Sequence, residues 1–137
     1  MIKKISGSIY NPYYYDDDGV DVEEGGVFIN GIQLAESLVE NFQGKMVYAR
    51  LAYAKTPISD ELFLEIADQL EGIFEGHSEY HRGYSEYTPG YYDEYGNIGG
   101  HKLLDVMASY EGDYVYLLIA DEPIPDLAEA LSKAESL

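Results

Sequence analysis

The sequence predicts a single α+β domain over residues 1–137, with a mainly antiparallel sheet and helices packed on one face of it. Three observations lead to this prediction. Alternating apolar and polar residues indicate strands, apolar residues at four-residue spacing indicate helices, and a tyrosine-rich motif occurs twice. Because 46% of the 137 residues are hydrophobic, the chain has enough apolar material for one core.

The first of two diverged loop–helix–strand repeats is predicted over about residues 2–55. Its helix has Leu34, Leu38 and Phe42 on one face, and Gly44 suits the position that ends a helix. Its predicted elements are a strand at 2–10, a turn-rich loop at 11–19, a strand at 27–29, a turn at 30–31, a helix at 32–42 and a strand at 46–53.

A connecting helix is predicted over about residues 57–75. Pro57 suits the first helical position, and Thr56 or Ser59 can cap the free backbone N–H groups. One continuous apolar stripe supports the helix, and it contains Leu62, Phe63, Ile66, Leu70, Ile73 and Phe74.

The second repeat is predicted over about residues 88–120. A long loop at 76–97, rich in glycine and tyrosine, overlaps its start. Loops of this length are usually functional or disordered, and the aromatic content argues against simple disorder. A helix at about 100–109 and a strongly apolar central strand at 114–120 complete this repeat. An amphipathic helix at about 125–137 ends the chain.

The repeat prediction depends on the motif Pro-x-Tyr-Tyr-acid-acid-x-Gly, which begins at Pro12 and again at Pro89. Each copy is followed by a glycine at a helix start, Gly31 or Gly100, and then by a helix and a strand. The alternative is that small α+β proteins reuse glycine turns and apolar helices without any duplication.

The formal net charge of -18 comes from 26 acidic residues against eight basic ones. Such a chain repels phosphate backbones and anionic membrane surfaces, so neither nucleic acid nor membrane is an expected direct partner. A basic protein surface is the expected partner, although solubility alone, or a salt-loving host, is a simpler explanation of the charge. The absence of a signal peptide and of a membrane span predicts a cytoplasmic protein, in the host cytoplasm if it is viral, whereas the absence of cysteine does not fix the compartment.

Sequence motifs of catalysis are missing, so we expect no enzyme, no catalytic residue and no cofactor. There is no phosphate loop, no G-x-G-x-x-G and no G-x-S-x-G nucleophile motif. His77 and His81 would share a face if the connecting helix reached them, with His101 or Glu79 as further ligands. Since Gly76 is expected to end that helix first, no metal site is predicted. The acids after Asp16 also lack the spacing of an EF-hand.

Two features point to a binding surface, namely the unbalanced acids and the tyrosines of the two loops. Tyrosine offers a large rigid contact area with a polar tip, and tyrosine with aspartate suits an arginine-rich partner. The predicted partner-binding residues are Tyr13, Tyr14, Tyr15, Asp16, Asp17, Asp18, Asp21, Glu61, Glu65, Asp68, Tyr91, Tyr92, Asp93 and Glu94.

The leading hypothesis is a non-catalytic inhibitor from a phage or mobile element that mimics nucleic acid and occupies the basic binding surface of a host defence protein. The alternative is a protein that binds or sequesters a small, nucleotide-like ligand between its Tyr/Asp loops, in a monomer or a homodimer. A structural protein or an adaptor for a basic partner is a third class.

Overall fold

The computed structural model describes residues 1–11, 13–15, 21–23, 26–83 and 90–137, with 13–15 and 21–23 described by backbone alone. Over these residues the chain has the predicted α+β fold, a curled, mainly antiparallel sheet with four helices. No described helix is both long and apolar enough to cross a membrane. The elements in chain order are β1 (Ile2–Tyr10), β2 (Tyr13–Tyr15), β3 (Asp21–Glu23), β4 (Phe28–Ile29), β5 (Ile32–Gln33), α1 (Leu34–Phe42), β6 (Met46–Ala54), α2 (Asp60–Ile66), β7 (Asp68–His81), β8 (Tyr91–Ile98), β9 (His101–Lys102), α3 (Leu103–Ser109), β10 (Tyr114–Ala120), α4 (Leu127–Lys133) and β11 (Glu135–Ser136).

The main sheet has the strand order β5-β4-β1-β10-β6-β7-β8-β9. Neighbours in this order are antiparallel, and the short strand β11 joins β1 in parallel. Strands β2 and β3 form a separate two-stranded ladder, so Tyr13–Tyr15 is a strand rather than the predicted loop. The predicted acidic residues Asp16, Asp17 and Asp18 lie outside the described residues.

Strand β10 is central, as predicted, and pairs with β1 on one side and β6 on the other. Six of its seven residues are buried, because helices cover both of its faces. Leu117 and Ile119 point into a core with α1 and α3, whereas Leu118 and Ala120 point into a second core with α2 and α4. The prediction that the helices lie on one face is therefore wrong. A strand that is apolar on both sides needs cover on both sides.

The connecting helix predicted over 57–75 is also wrong. Helix α2 is only seven residues long, with Ser59 accepting a hydrogen bond from the Leu62 N–H at its N-terminus. The chain then becomes the 14-residue strand β7, which pairs with β6 and β8. Leu70 and Phe74 lie four residues apart, and that spacing places them on one face of a strand as well as of a helix.

Gly72 adds to the preference for strand over helix at this point. Glycine inside a helix costs about 1 kcal/mol relative to alanine. In β7, Gly72 has φ +148° and lets the backbone of Gly99 approach closely, since a Cβ on Gly72 would lie 2.3 Å from the Gly99 Cα.

Two further predicted elements differ from the structure. Part of the predicted loop at 76–97 is strand, in β7 and β8. The predicted C-terminal helix is shorter than 125–137, because the chain leaves α4 at Lys133 and pairs as β11.

Candidate functional site

The β7–β8 hairpin divides the second copy of the tyrosine motif between two faces of the sheet. Side chains alternate along a strand, and residues in register across an antiparallel pair point to the same face. Tyr92 is the register partner of Tyr80, and Asp93 is the partner of Glu79. Tyr92 and Glu94 therefore face the core side, while Tyr91 and Asp93 face outward.

The core-side residues attach the hairpin to the first half of the chain. The Tyr92 ring packs edge-on against Phe28, with centroids 5.6 Å apart, and lies 5.0 Å from the ring of Tyr80. The carboxylate of Glu94 accepts a hydrogen bond from the Val27 N–H at 2.7 Å and another from the Gln33 Nε2. Tyr92 and Glu94, predicted to contact a partner, thus make structural contacts within the chain.

Glu94 is a half-buried carboxyl in this hydrogen-bonded position. Burial raises its pKa from an ordinary value of 4.5 to about 7, although the bond from the Val27 N–H opposes the shift. Loss of solvation disfavours the charged form of a carboxyl group, which is why burial dominates.

A cleft of about 240 Å³ lies beside Glu94. Ligand pockets usually have volumes of about 300–1,000 Å³, so this cleft would hold only a small molecule. Its lining includes the acidic residues Asp93, Glu94 and Asp105 together with Tyr91 and Tyr92, although the Asp93 carboxylate and the Tyr91 ring are directed to the outward face. Such a lining disfavours phosphate and favours a neutral or cationic group.

The outward face of the hairpin has a cluster of two imidazoles and two carboxylates. Nε2 of His77 lies 3.5 Å from Oε2 of Glu79 and 3.9 Å from Oδ2 of Asp93. Nε2 of His81 lies 3.7 Å from each of the same two oxygens. His77, Glu79 and Asp93 offer ligand atoms that all lie within 4.8 Å of one another. We call these four residues the histidine–carboxylate cluster.

Two tyrosines of the same face stack on the imidazoles of the cluster. The ring of Tyr91 lies 4.8 Å from that of His81 at an interplanar angle of 14°, and the ring of Tyr95 lies 5.8 Å from that of His77 at 27°. Tyr91 and His81 are register partners, as are Tyr95 and His77. Each imidazole is therefore held between its strand and an aromatic ring of the neighbouring strand.

The acidic residues of the predicted connecting helix lie on two elements, because the second part of that segment is a strand. Glu61 and Glu65 are exposed on α2, and Glu71 and Glu75 are exposed on the outward face of β7. Asp68 is exposed too, but its register partner is Leu51, which packs in the α1–α3 core, so it lies on the opposite face. We call Glu61, Glu65, Glu71 and Glu75 the acidic face.

An exposed apolar pair lies within the acidic face. Ile73, between Glu71 and Glu75, is 46% exposed, and its register partner Met46 is 40% exposed. Large apolar patches rimmed by charged residues mark interaction surfaces, and this pair forms a small patch of that kind.

Sequence reasoning considered His77 and His81 only at helical spacing and so predicted no site. The useful signal was a period of two: His77-x-Glu79-x-His81 alternates on one strand, and Tyr91-x-Asp93-x-Tyr95 alternates on the other. His101, weighed as a third ligand, is instead the register partner of Ile98, which points to the core side.

No protein-family model matches this chain, and neither the curated proteins nor the solved structures include a significant match.

Proposed function

We propose that this protein is a non-catalytic inhibitor, from a phage or mobile element, whose acidic face occupies a basic nucleic-acid-binding surface of a host defence protein. The observation that carries the proposal is that exposed carboxylates of α2 and β7 are not neutralised by ion pairs with described basic residues. Within the described part of the chain, none of Glu61, Glu65, Glu71 and Glu75 forms an ion pair. Ordinary surfaces intersperse charges of both signs.

The lysines that do form ion pairs neutralise other parts of the surface. Their carboxylate partners are Glu135 for Lys3, Asp121 for Lys45, Asp113 for Lys55 and Glu129 for Lys133. Those partners lie near the chain termini and around β10. The acidic face therefore retains its negative charge, which suits a surface that recognises phosphates.

The rigidity of the acidic face also supports the proposal. Glu71 and Glu75 lie four residues apart on one strand, so they are separated by about 13 Å at roughly 3.3 Å per residue. A paired strand fixes the backbone that carries these carboxylates, so little backbone entropy is lost on binding. Ile73 and Met46 add an apolar contact between the acids.

The test is affinity capture from a bacterial lysate at low and high salt, followed by competition with duplex DNA. The expected partner is a nucleic-acid-binding protein that is released by salt and displaced by DNA, because both ligands would use one basic surface. Binding that does not change with salt, or that DNA does not displace, contradicts the proposal.

A matched pair of variants separates the acidic face from net charge alone. The test variant replaces Glu61, Glu65, Glu71 and Glu75 with glutamine, and the control replaces four other exposed glutamates, Glu36, Glu40, Glu111 and Glu122. Both variants change the charge of -18 by four units. We expect only the first to lose the captured partner; equal losses would mean that overall charge, not this surface, determines binding.

A second candidate function, binding of a small ligand, is favoured by the cleft beside Glu94. One copy of the Tyr/Asp motif supplies Tyr91, Tyr92 and Asp93 to its lining. An uncharged or cationic nucleobase would stack on Tyr92 and donate hydrogen bonds to the carboxylates of Glu94 and Asp105. Calorimetry with nucleobases, nucleosides and nucleotides tests it, and binding of nucleotides in preference to bases would contradict the expected exclusion of phosphate.

The two-repeat architecture is part of the proposal, and the sheet topology supports it. Strands β4 and β5, helix α1 and strand β6 follow the same succession as β8, β9, α3 and β10. If β1 corresponds to β7, the sheet order is the same from both ends, with an approximate twofold axis between β10 and β6. The segments that lead into α2 and α4 also share Pro-Ile-x-Asp, at Pro57 and Pro123.

A further inference from the structure

We propose that the histidine–carboxylate cluster binds one divalent transition-metal ion of the zinc class. The ligands are the Nε2 atoms of His77 and His81 and the carboxylates of Glu79 and Asp93. This site is separate from the acidic face, and its existence does not depend on the proposed inhibitory function.

The spacing of the ligand atoms fits a metal of this size. Zinc–nitrogen and zinc–oxygen bonds are about 2.0–2.2 Å, so adjacent ligand atoms of a tetrahedral site lie roughly 3.4 Å apart. The four nitrogen–oxygen distances of the cluster are 3.5, 3.9, 3.7 and 3.7 Å. The ligand atoms of His77, Glu79 and Asp93 already lie within 4.8 Å of one another, and a larger rotation of the His81 ring toward His77 would complete the coordination.

The register of the hairpin supplies an independent reason for a cation. Glu79 and Asp93 are directly opposite each other in the β7–β8 ladder. Like charges at opposite positions of a ladder destabilise it. No lysine or arginine forms an ion pair with either carboxylate in the described ranges. A bound dication would turn this repulsion into a bridge between the two strands.

The stacked tyrosines prepare the imidazoles for binding. Tyr91 and Tyr95 restrict the rings of His81 and His77, and both Nε2 atoms already face the carboxylates. Restricting a ligand before binding reduces the entropy lost when the metal arrives.

The donor set selects the class of metal. Two imidazoles suit zinc, nickel, copper or cobalt, whereas calcium and magnesium prefer oxygen ligands alone. The four side chains are 36–58% exposed, so water can reach the metal and exchange is expected to be fast. The alternative is that the histidines only form ion pairs with the carboxylates when they are protonated.

The experiment is calorimetric titration of the full chain with zinc, cobalt, calcium and magnesium chlorides in buffer with 150 mM salt, about a physiological ionic strength. We expect one zinc per chain, weaker calcium and magnesium binding, and visible cobalt absorption bands of nitrogen–oxygen coordination. Zinc should also raise the melting temperature, because ligands that bind the native state stabilise it.

Histidine variants decide whether the cluster is the site. His77→Ala and His81→Ala should each weaken zinc binding by about 100-fold or more, since loss of even an indirect metal contact costs about 10–100-fold. His101→Ala is the matched control, because it removes an exposed histidine that lies outside the cluster. Circular dichroism checks that each variant is folded, and His77→Gln replaces any alanine variant that is not.

Three outcomes would overturn the proposal. The first is no zinc binding to the native chain. The second is zinc binding that the His77 and His81 variants leave unchanged, which would indicate diffuse binding to the many carboxylates. The third is an equal loss in the His101 variant.

Discussion

Glu94→Gln tests the connection between the tyrosine motif and the first half of the chain. The pKa of Glu94 is raised from 4.5 to about 7 in the folded protein. Between these two pH values the folded state therefore keeps a proton that the unfolded state has lost. Stability should fall as the pH rises from about 4.5 to 7 and then change no further through this group.

The magnitude follows from the size of the shift. About 2.5 pKa units at 1.36 kcal/mol each correspond to about 3.4 kcal/mol, and partial exposure of Glu94 reduces this to roughly 1–2 kcal/mol. In Glu94→Gln, the amide oxygen can still accept the hydrogen bond from the Val27 N–H. The substitution also alters the hydrogen bond from the Gln33 Nε2, and that effect is equal at every pH. The test therefore compares the slope of stability against pH in the two chains.

The assay is urea unfolding of the native chain and Glu94→Gln at pH 5, 6, 7 and 8. The native chain should lose about 1–2 kcal/mol more than the variant between pH 5 and pH 8. Glu111→Gln, which replaces an exposed glutamate, should leave the native slope unchanged. Parallel curves for the native chain and Glu94→Gln would refute the assignment of a raised pKa to this carboxyl.

Three further substitutions test the packing. Phe63→Ala should lower the free energy of unfolding by about 3–5 kcal/mol, because Phe63 is fully buried and stacks on Tyr116. Leu64→Ala, on the exposed side of the same helix, should lower it by under about 1 kcal/mol. Urea unfolding measures both values, and equal effects would contradict the second core. Gly72→Ala should cost about 2 kcal/mol or more because its Cβ would meet the Gly99 backbone, so an unchanged melting temperature would contradict that close approach. Tyr53→Phe should raise the free energy of unfolding by about 1 kcal/mol, because the Tyr53 hydroxyl is buried and has no hydrogen-bond partner among the described residues. A lower free energy of unfolding, measured with urea, would show that this hydroxyl does have a partner.

The sequence predicts those parts of the fold whose residue pattern is compatible with only one type of secondary structure. The apolar run of β10 is too short for a buried helix and too continuous for an exposed strand, so its central position follows from the residues alone. Helix α1 has its buried residues at helical spacing and a glycine after its end. Both predictions needed no knowledge of the rest of the chain.

Strand β7 could not be predicted in this way, because its residue pattern is compatible with both a helix and a strand. Leu70 and Phe74 are equivalent in a helix and in a strand, and so are the acids Glu71 and Glu75. The strand is decided by its partners, since β7 pairs with β6 through one half and with β8 through the other. Those contacts are distant in sequence and leave no local pattern.

The candidate sites follow the same division. Tyr91 and Asp93, which were predicted to contact a partner, are exposed, but their neighbours Tyr92 and Glu94 face the core side. The separation depends on the strand register, which the sequence does not reveal. For the same reason the histidine–carboxylate cluster could be inferred only once Glu79 was known to lie opposite Asp93.

The position of β10 between β1 and β6 has a consequence for how the chain folds. Ile2 pairs with Ala120, so two strands that are distant in sequence must meet before the centre of the sheet exists. Folds dominated by such distant contacts form slowly, since the loop must close before its contacts stabilise it. During synthesis, β1 and β6 would emerge with unpaired edges that attract other strands. The strong negative charge then also protects the chain during synthesis, because mutual repulsion keeps incomplete chains apart until β10 has been synthesised.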